Sequence, residues 1–589
     1  MIFRGVLRLY TALILTVTVV MSPFGTVAQA ATGIPVNSVS VEGEGLSPIV
    51  THTGKAPTGY TVTFRYWNPD AERVQIKGEW FFARPGALTQ IAGTPEAPVV
   101  ETQGLLPDDW KPGDIPIAYP NATAANWPVT DMTQDNEGVW TYTTPLPSGT
   151  FTYSFFVDCA TADQSGCTPI SDPRKAPWSD QNGSPLGSIQ TSSQVFVPSD
   201  PNFNTVDYWW QGPAEQQGTL SHHTYSSPGH EAPANKNYFV PYTPPNYDPV
   251  RPEPYPTLYL SHGGGGNETD WTTQGALGNI MDNLIAIGEI EPMLVVMPNA
   301  SGYPSSTFYE AYDRDLIDNI IPFIEENYNV STKPKDRAFS GLSMGGIITN
   351  SLMLKYPEEF GYFGMMSGGL PPEYEVLSKE HTASLAGKGI FVGSGWQDPI
   401  HAVGFRTNHF GPARQVSSLI NAGIPVTPVF INGGHEWYVW RILLKDFLTR
   451  VAFQPQPYSL NDLRGQHNVD QSAAAITVKL NGEEQHFSQP PVTVDGSVLV
   501  PLRDIFESVD ADVTWEGSTK TVFVNKGEKN IELRLNQPVA YVNGNAVELS
   551  QPGMLINGKT MVPLDFIEIA LDIEISWNKS AKTIAISTK

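Results

Sequence analysis

The sequence has little cysteine and a marked shortage of positive charge. Only 2 of its 589 residues are cysteine, and two thiols alone cannot make a zinc site. Lysine and arginine number 35 against 60 aspartate and glutamate residues, which gives a formal net charge of −25. Because a binder of nucleic acid or of an anionic surface needs a basic patch, this balance argues against both partners. A neutral polysaccharide remains compatible with it.

Long apolar runs are absent after the N-terminal segment. Arg4 and Arg8 precede an apolar run over residues 12–20, and a small-residue cleavage site ends at Ala30. This pattern predicts a secretory signal over residues 1–30. A membrane anchor is the alternative, but the run is shorter than the ~20 residues that a bilayer span requires. We therefore expect a secreted protein whose mature form has no membrane span.

The two cysteines lie close together in the stretch "VDCATADQSGCTP", as Cys159 and Cys167. In an exported protein, two cysteines at this spacing are more typical of a disulfide that closes a hairpin loop than of a metal site. We therefore predict a disulfide between them and no metal site.

The pattern of predicted strands and helices changes along the chain, which predicts several domains. Residues 31–203 show alternating strand patterns such as "YTVTFRYW" and "GTFTYSFFV", which are typical of a β-sandwich. Residues 204–454 alternate strands with helices, which predicts a mostly parallel α/β sheet. The polar stretch 455–473 reads as a linker.

Residues 474–589 contain an internal repeat. The segment "VPLRDIFESVDADVTWEGSTKTVFV" begins at Val500, and "VPLDFIEIALDIEISWNKSAKTIAI" begins 62 residues later at Val562. Trp515 and Trp577 keep the same offset. Two copies of one small α+β unit are therefore expected in tandem.

The stretch "AFSGLSMGG" places Ser343 in a Gly-x-Ser-x-Gly pattern, after a short strand and before a helical segment. Such a turn exposes a nucleophilic serine, although a small residue that merely begins a helix is the alternative. The loop "HGGGGNETDW", which begins at His262, matches a glycine-rich oxyanion loop, with Gly264 and Met344 as the expected backbone donors. A flexible turn or a phosphate cradle is the other interpretation, but the lysine of a P-loop is missing.

An acid and a histidine should follow this serine in chain order, each just after a strand. The segment "GIFVGSGWQDP" supplies Asp398 and "VTPVFINGGHEW" supplies His435. We expect Asp398 to orient the imidazole and His435 to act as the base for Ser343. Glu436 and Asp270 are competing acids.

The segment from about residue 218 to 453 resembles the esterase family of α/β-hydrolases. The matching stretches are "HGGGGNETDW", "DLIDNIIPFIEENYNV", "GLSMGG", "YPEEFGYFGMMSG" and "GGHEWYVWRILLKDFL". The family includes feruloyl and acetylxylan esterases of carbohydrate esterase family one, enterochelin esterases and S-formylglutathione hydrolase. The resemblance implies an α/β-hydrolase fold, a triad at Ser343, Asp398 and His435, and no metal or organic cofactor.

Aromatic residues in the loops that follow strands are candidates for substrate contact. We select Trp271, Trp396 and Trp437, which could stack on a ferulate ring or on a sugar face. Packing in the core or in a lid is the alternative for each. Other histidines of this domain, among them His222 and His401, are interpreted as polar surface residues or as supports of the site.

Both flanking regions resemble known domains. The N-terminal region resembles early-set immunoglobulin-like domains related to glycogen-binding modules, and its tryptophans form either a sugar-stacking platform or core; they are Trp80, Trp110, Trp127 and Trp140. The repeat resembles the copper amine oxidase N-terminal domain of secreted proteins from Gram-positive spore formers. With His486 as its one histidine and no cysteine, it cannot build an imidazole-rich copper site. It is predicted to be a stalk, or a module that contacts the cell wall or a polymer.

These observations predict a secreted serine carboxylesterase. Its expected substrates are esters of plant cell-wall polysaccharide, feruloyl or acetyl, or other small esters, hydrolysed through an acyl-enzyme. The alternatives are a siderophore esterase of the enterochelin type, an acyltransferase, and a non-catalytic protein that binds or adheres to polysaccharide.

Overall fold

The computed structural model describes residues 48–84, 104–117, 127–161, 164, 166–172, 192–403, 410–454 and 476–588, the last range without residues 486, 488, 495, 517–520, 528, 536, 538, 557, 558, 572 and 580. The predicted signal segment 1–30, the linker 455–473 and His486 lie outside these residues. No helix among the described residues is both long and apolar enough to cross a membrane.

The N-terminal region consists of strands. They are β1 (Ile49–His52), β2 (Tyr60–Trp67), β3 (Val74–Gly78), β4 (Phe82–Ala83), β5 (Ile115–Pro116), β6 (Val129–Asp131), β7 (Thr133–Gln134), β8 (Val139–Pro145), β9 (Gly149–Val157) and β10 (Ser193–Val197). Two four-stranded antiparallel sheets have the orders β1-β2-β8-β7 and β10-β9-β3-β6, and β4 pairs with β5. The cysteines Cys159 and Cys167, which follow β9, form a disulfide with their Cα atoms 5.5 Å apart.

Buried and partly exposed side chains alternate along these strands, and the buried ones form one core. In β2, Val62 and Phe64 are fully buried, whereas the intervening threonine is partly exposed, as expected for a strand with one face against a core. Trp80, Trp110 and Trp140 join the same core and are 0–7% exposed. The prediction that these three tryptophans form a sugar-stacking platform is therefore wrong. They pack in the core, which was the alternative.

The central region contains one nine-stranded sheet with helices. Its strands are β11 (Thr219–Leu220), β12 (His223–Glu231), β13 (Ala234–Thr243), β14 (Thr257–Ser261), β15 (Leu294–Pro298), β16 (Arg337–Leu342), β17 (Tyr362–Met366), β18 (Gly389–Gly395) and β19 (Thr427–Ile431). Its helices are α1 (Leu277–Ala286), α2 (Phe308–Asp315), α3 (Ile321–Asn327), α4 (Met344–Lys355), α5 (Lys379–Ser384), α6 (Ile400–Val403), α7 (Pro412–Asn421) and α8 (Trp437–Arg450).

The order in this sheet is β11-β13-β15-β14-β16-β17-β18-β19, with β12 paired to β13. From β15 to β19 all pairs are parallel, whereas β13 runs antiparallel to β15. Successive residues of β14 join two different clusters: Leu258 and Leu260 pack with α1 and α8, and Tyr259 packs with α3 and α4. Both faces are therefore covered, which explains why the parallel strands are apolar without alternation.

The C-terminal region has strands β20 (Thr477–Leu480), β21 (Glu483–Gln485), β22 (Val492–Val494), β23 (Ser497–Pro501), β24 (Asp512–Glu516), β25 (Thr521–Lys526), β26 (Lys529–Arg534), β27 (Val539–Val542), β28 (Asn545–Glu548), β29 (Met554–Ile556), β30 (Lys559–Pro563), β31 (Glu574–Asn578) and β32 (Thr583–Ser587), with helices α9 (Leu502–Glu507) and α10 (Leu564–Leu571). The sheet orders are β21-β20-β32-β31, β22-β23-β30-β29 and β24-β25-β26-β27-β28. The prediction of a multidomain chain with β-rich ends is confirmed; the exact domain boundaries stay a prediction.

The two copies of the repeat share their sheets. Val500 of β23 lies directly opposite Val562 of β30 in an antiparallel pair, so equivalent positions of the two copies meet at a local two-fold axis. Strand β20 of the first copy also pairs in parallel with β32, the last strand of the second. Most buried side chains of both copies form one cluster, and a second, smaller cluster also draws on both copies, with Val494 and Leu499 from the first and Met554, Ile556 and Met561 from the second. The two repeats thus form a single folded unit with shared sheets rather than two separate domains.

Substitutions at equivalent buried positions should test this single unit. Ile505 in α9 and Ile567 in α10 are at most 1% exposed, and replacing either by alanine should lower the free energy of unfolding by about 2–5 kcal/mol. Both variants should shift the same calorimetric transition to lower temperature. Ile569→Ala is the matched control, since Ile569 is 53% exposed and its truncation should change stability by roughly 0.5 kcal/mol or less. Two transitions, each responding to one substitution, would contradict the single unit.

Candidate active site

Ser343 occupies a strained turn between a strand and a helix. It follows β16 directly and precedes α4, with φ 52° and ψ −114°. A positive φ is unfavourable for a residue with a side chain, so the surroundings must impose it. The Ser343 N–H donates to the Met366 carbonyl at 2.9 Å, which ties the turn to the end of the neighbouring strand β17.

Two glycines make this turn sterically possible. A Cβ atom on Gly341 would lie 2.6 Å from the carbonyl carbon of Gly345. A Cβ atom on Gly345 would lie 2.7 Å from the carbonyl oxygen of His262, in the glycine-rich loop. The turn, the start of α4 and that loop therefore meet at backbone distance, which leaves no room for side chains.

A continuous chain of hydrogen bonds runs from Ser343 through His435 to Asp398. The His435 Nε2 atom lies 2.9 Å from the Ser343 Oγ atom, and its Nδ1 atom lies 2.9 Å from Asp398 Oδ2. Asp398 is fully buried, and its other oxygen accepts the Ile400 N–H at 2.9 Å. A proton on Nδ1 therefore faces the carboxylate and leaves Nε2 free to accept from the serine hydroxyl. The structure brings the three predicted side chains together; their catalytic roles stay a prediction.

The competing acids have other partners. A carboxylate oxygen of Glu436 accepts the Gly434 N–H at 2.8 Å, within the loop that carries the histidine. Asp270 caps a turn of the glycine-rich loop, where its oxygen lies 3.3 Å from the Asn267 nitrogen. Among these acids, Asp398 is therefore the one with a hydrogen bond to His435.

The glycine-rich loop passes the first residue of α4. A Cβ atom on Gly264 would lie 4.0 Å from the Met344 Cβ atom, so the two predicted oxyanion donors belong to adjacent backbone segments. Behind them the buried His262 ring donates from Nδ1 to the Gly263 carbonyl at 2.7 Å and accepts the Ala300 N–H on Nε2 at 2.8 Å. Burial lowers the pKa of His262, which favours the neutral ring, and the two hydrogen bonds of this ring support the loop.

A buried His222–Glu268 pair supports the same loop. The Glu268 carboxylate lies 2.8 Å from His222 Nε2, and the two side chains are 0% and 6% exposed. From sequence alone His222 is predicted only to be a polar surface residue or a support of the site, because the dipeptide His222-His223 belongs to no motif. The available signal was Glu268 itself, a charged residue inside a loop of glycine, asparagine and threonine.

Two of the three aromatic residues predicted to contact substrate lie in the core. Trp271 is 1% exposed, donates its indole N–H to the Ser261 carbonyl at 3.0 Å, and packs edge to face against Trp437 at 5.2 Å between ring centroids. Trp437 is 8% exposed. Their placement corresponds to the alternative of core packing, beneath the loop rather than on its surface. Trp396 is half-buried and packs on His401.

Trp440 is a supporting residue that sequence reasoning missed. Its ring stands edge to face against the His435 imidazole, with centroids 4.9 Å apart, and its indole N–H donates to Ser367 Oγ at 3.0 Å. The imidazole thus packs against a buried aromatic residue from α8. Among the described residues, no cluster of three or more histidine, cysteine or acidic side chains is arranged to hold a metal ion.

Two segments of the chain match known families. Residues 231–451 match the family described as "Putative esterase", and residues 479–586 match the "Copper amine oxidase N-terminal domain". The resemblances predicted for these two regions are confirmed. The resemblance of the N-terminal region stays a prediction.

The chain is also similar to individual proteins. It is 31% identical over 327 residues to an endo-1,4-beta-xylanase/feruloyl esterase of Xylanibacter ruminicola, covering 54% of this chain and 40% of the relative. It is 35% identical over 190 residues to endo-1,4-beta-xylanase Y of Acetivibrio thermocellus, covering 30% and 17%. The chain thus spans less than half the length of either relative. A solved ferulic acid esterase of Anaeromyces mucronatus is 20% identical over 42% of this chain and 96% of its own, with a TM-score of 0.36.

A methyl group at the turn should disrupt the site. In Gly345→Ala the new Cβ atom would strike the carbonyls of His262 and Ser261, so we expect a lower melting temperature and slow labelling of Ser343 by a fluorophosphonate. Gly278→Ala is the control, because its Cβ atom would have 3.6 Å to the nearest atom, and alanine is favoured over glycine within α1 by roughly 0.5–1 kcal/mol. Equal labelling of Ser343 in both variants would show that the close approach is not required.

Proposed function

We propose that this protein is a secreted serine carboxylesterase that hydrolyses esters on plant cell-wall polysaccharide, feruloyl or acetyl. The observation that carries the proposal is the hydrogen-bonded series Ser343, His435 and Asp398 at a strained turn beside a glycine-rich loop. A nucleophile, a base, an orienting acid and backbone donors for an oxyanion are the components that acyl transfer requires.

Acylation begins when the ester carbonyl lies beside the turn. The Ser343 Oγ atom attacks the carbonyl carbon while its proton passes to His435 Nε2, 2.9 Å away. The negative charge that develops on the carbonyl oxygen is stabilised by the N–H groups of Gly264 and Met344. Asp398 stabilises the imidazolium through Nδ1. The imidazolium then protonates the leaving alcohol, which is the sugar hydroxyl, and the acyl-enzyme remains.

Deacylation repeats these steps with water. His435 removes a proton from a water molecule, whose oxygen attacks the acyl carbon. The carboxylic acid leaves, and the proton returns from Nε2 to Ser343. All steps use side chains and backbone groups of the chain itself, and no cofactor is needed in this scheme.

The choice of substrate rests on three supports. The two relatives described above have names that include endo-1,4-beta-xylanase, and one name also includes feruloyl esterase. The half-buried Trp396 lies two residues before Asp398 and packs on His401 and Phe430; we propose that the rest of its ring stacks on the ferulate ring. The net charge of −25 favours a polymer without strong negative charge.

The proposal includes an architecture. We propose that the central sheet is that of an α/β-hydrolase, with the nucleophile after β16, the acid after β18 and the histidine after β19. The paired N-terminal sheets are proposed to be an immunoglobulin-like β-sandwich, and the C-terminal unit an attachment module for wall or polymer. Secretion is proposed from the segment 1–30, which reads as a signal.

Ester hydrolysis by the mature protein tests the proposed function. We expect turnover of methyl ferulate or of acetylated xylan, with kcat lowered roughly 10⁶-fold in Ser343→Ala. In Asp398→Asn, kcat should fall roughly 10⁴-fold, because the wrong imidazole tautomer then faces the serine. Ser417→Ala, at an exposed serine of α7, is the matched control and should turn over like the parent protein.

The substrate pattern separates the alternatives. Turnover of acetylated xylan alone narrows the substrate to acetyl esters, and turnover of a catecholate triester alone points to a siderophore esterase. Ester exchange onto an added alcohol with little hydrolysis indicates an acyltransferase. If no ester is turned over while Ser343→Ala and the parent protein both bind insoluble xylan, the esterase proposal fails in favour of a polysaccharide-binding protein.

A further inference from the structure

Arg441 of α8 lies where three distant parts of the chain meet. It is 1% exposed, and one guanidinium nitrogen donates to the Gln274 carbonyl at 2.6 Å, just beyond the glycine-rich loop. The other terminal nitrogen donates to the Thr150 carbonyl on β9 at 2.8 Å and lies 3.5 Å from a carboxylate oxygen of Glu79, which follows β3. One side chain thus joins the catalytic region to the N-terminal sheets.

Joining the two surfaces through the ion pair of Glu79 and Arg441 costs desolvation free energy, because both charges are buried. Glu79 is 3% exposed, and burial raises the pKa of its carboxyl while burial lowers the pKa of the Arg441 guanidinium; the attraction between the two opposes both effects. Within the part of the chain that the structure describes, one Glu79 oxygen and the Arg441 Nε atom have no hydrogen-bond partner. Apolar side chains of similar volume often give equal or greater stability at such a place. Apolar side chains cannot, however, donate hydrogen bonds to the carbonyl groups of two separate segments, as the planar guanidinium group of Arg441 does.

The first turn of α8 contacts His435, the tryptophan behind the glycine-rich loop and the segment that enters the central region. Trp437 packs on Trp271, whose indole N–H holds the strand end before the glycine-rich loop. Tyr438 shares a hydrogen bond of 3.0 Å with the Tyr208 hydroxyl, in the segment that enters the central region. Trp440 supports the His435 ring. A shift of this turn would therefore move the histidine and the loop relative to Ser343.

A second route joins the helix after the glycine-rich loop to the N-terminal region, through the segment that contains Gln211 and Gly212. Asn279 and Asn283 of α1, the helix that follows this loop, donate to the Gln211 and Gly212 carbonyls at 2.9 and 2.7 Å. The Gln211 side chain in turn accepts the Thr150 N–H at 3.1 Å. The contacts of Arg441 and of α1 thus end on the same strand, β9.

We infer that Glu79 and Arg441 are positioning residues through which the N-terminal region sets the distance between the glycine-rich loop and His435, so that this region is part of the catalytic unit. The inference rests on the proposed function for its catalytic consequence. It goes beyond that function because neither residue touches substrate or the triad, and because it gives the N-terminal region a role other than binding sugar.

Four variants of the full chain test the inference. Glu79→Gln removes the charge and keeps the shape, whereas Arg441→Lys keeps the charge and loses the fork. Glu79→Leu/Arg441→Met leaves no unpaired charge, so it should fold even if Glu79→Gln does not. Asp131→Asn is the matched control, since it breaks an exposed ion pair with Arg73 in the same N-terminal region.

The decisive readout is kcat per reactive serine, with the fraction of reactive Ser343 counted by a fluorophosphonate. We expect kcat per labelled site on methyl ferulate or p-nitrophenyl acetate to fall by about 10-fold or more in the double variant, in Arg441→Lys and in folded Glu79→Gln. KM should stay within about twofold, because the substrate pocket is not touched. Asp131→Asn should match the parent protein. If the double variant and Arg441→Lys keep the parent kcat per labelled site, the pair only holds the fold together and the inference fails.

Amide hydrogen exchange separates this result from a failure of the proposed function. If the parent protein turns over no ester, exchange over residues 262–276 and 432–437 still reports the position of both segments. We then expect faster exchange there in the double variant and in Arg441→Lys, with exchange in β24 to β28 unchanged. Exchange equal to that of the parent in both segments would overturn the inference whatever the enzyme activity.

Discussion

The structure of the site depends on the close backbone approach at the turn that carries Ser343. Gly341, Gly345 and the carbonyl of His262 come so close that no Cβ atom fits between them. This contact forces Ser343 to a positive φ and lays the glycine-rich loop along the start of α4. The strain cost of about 1–3 kcal/mol for such a residue must be offset by the surrounding packing. The buried parallel strands and the two apolar clusters that cover them supply that packing.

Helix α8 extends this constraint to the rest of the molecule. Its first five residues carry contacts to the His435 imidazole, to Trp271 behind the glycine-rich loop and to the N-terminal sheets, through Trp440, Trp437 and Arg441. The geometry of the candidate site therefore depends on segments that are hundreds of residues apart in sequence. A similar principle governs the C-terminal unit, where the last strand of one copy pairs with the first strand of the other.

Sequence reasoning predicted those features that leave a local trace. The turn around Ser343, the glycine-rich loop and the order serine, acid, histidine are written in short motifs, and the structure brings these residues within hydrogen-bond distance. The repeat was visible as an offset, but its interlocked pairing was not, because strand partners are set by tertiary contacts. Burial was harder to predict: tryptophans look alike on a surface and in a core. Arg441 lies within the stretch "GGHEWYVWRILLKDFL", but no local pattern pairs it with Glu79, since the two residues meet across 362 positions of sequence.

The central claim is that Ser343 carries the acyl group of an ester during turnover. Rapid acid quenching of the protein during hydrolysis of p-nitrophenyl acetate, followed by intact-mass and peptide mass spectrometry, tests it most directly. The account predicts one acetyl group per chain, located on the peptide that contains Ser343 and absent when that serine is replaced by alanine. An acetyl group on a different residue, or turnover that continues in the Ser343→Ala variant, would contradict it.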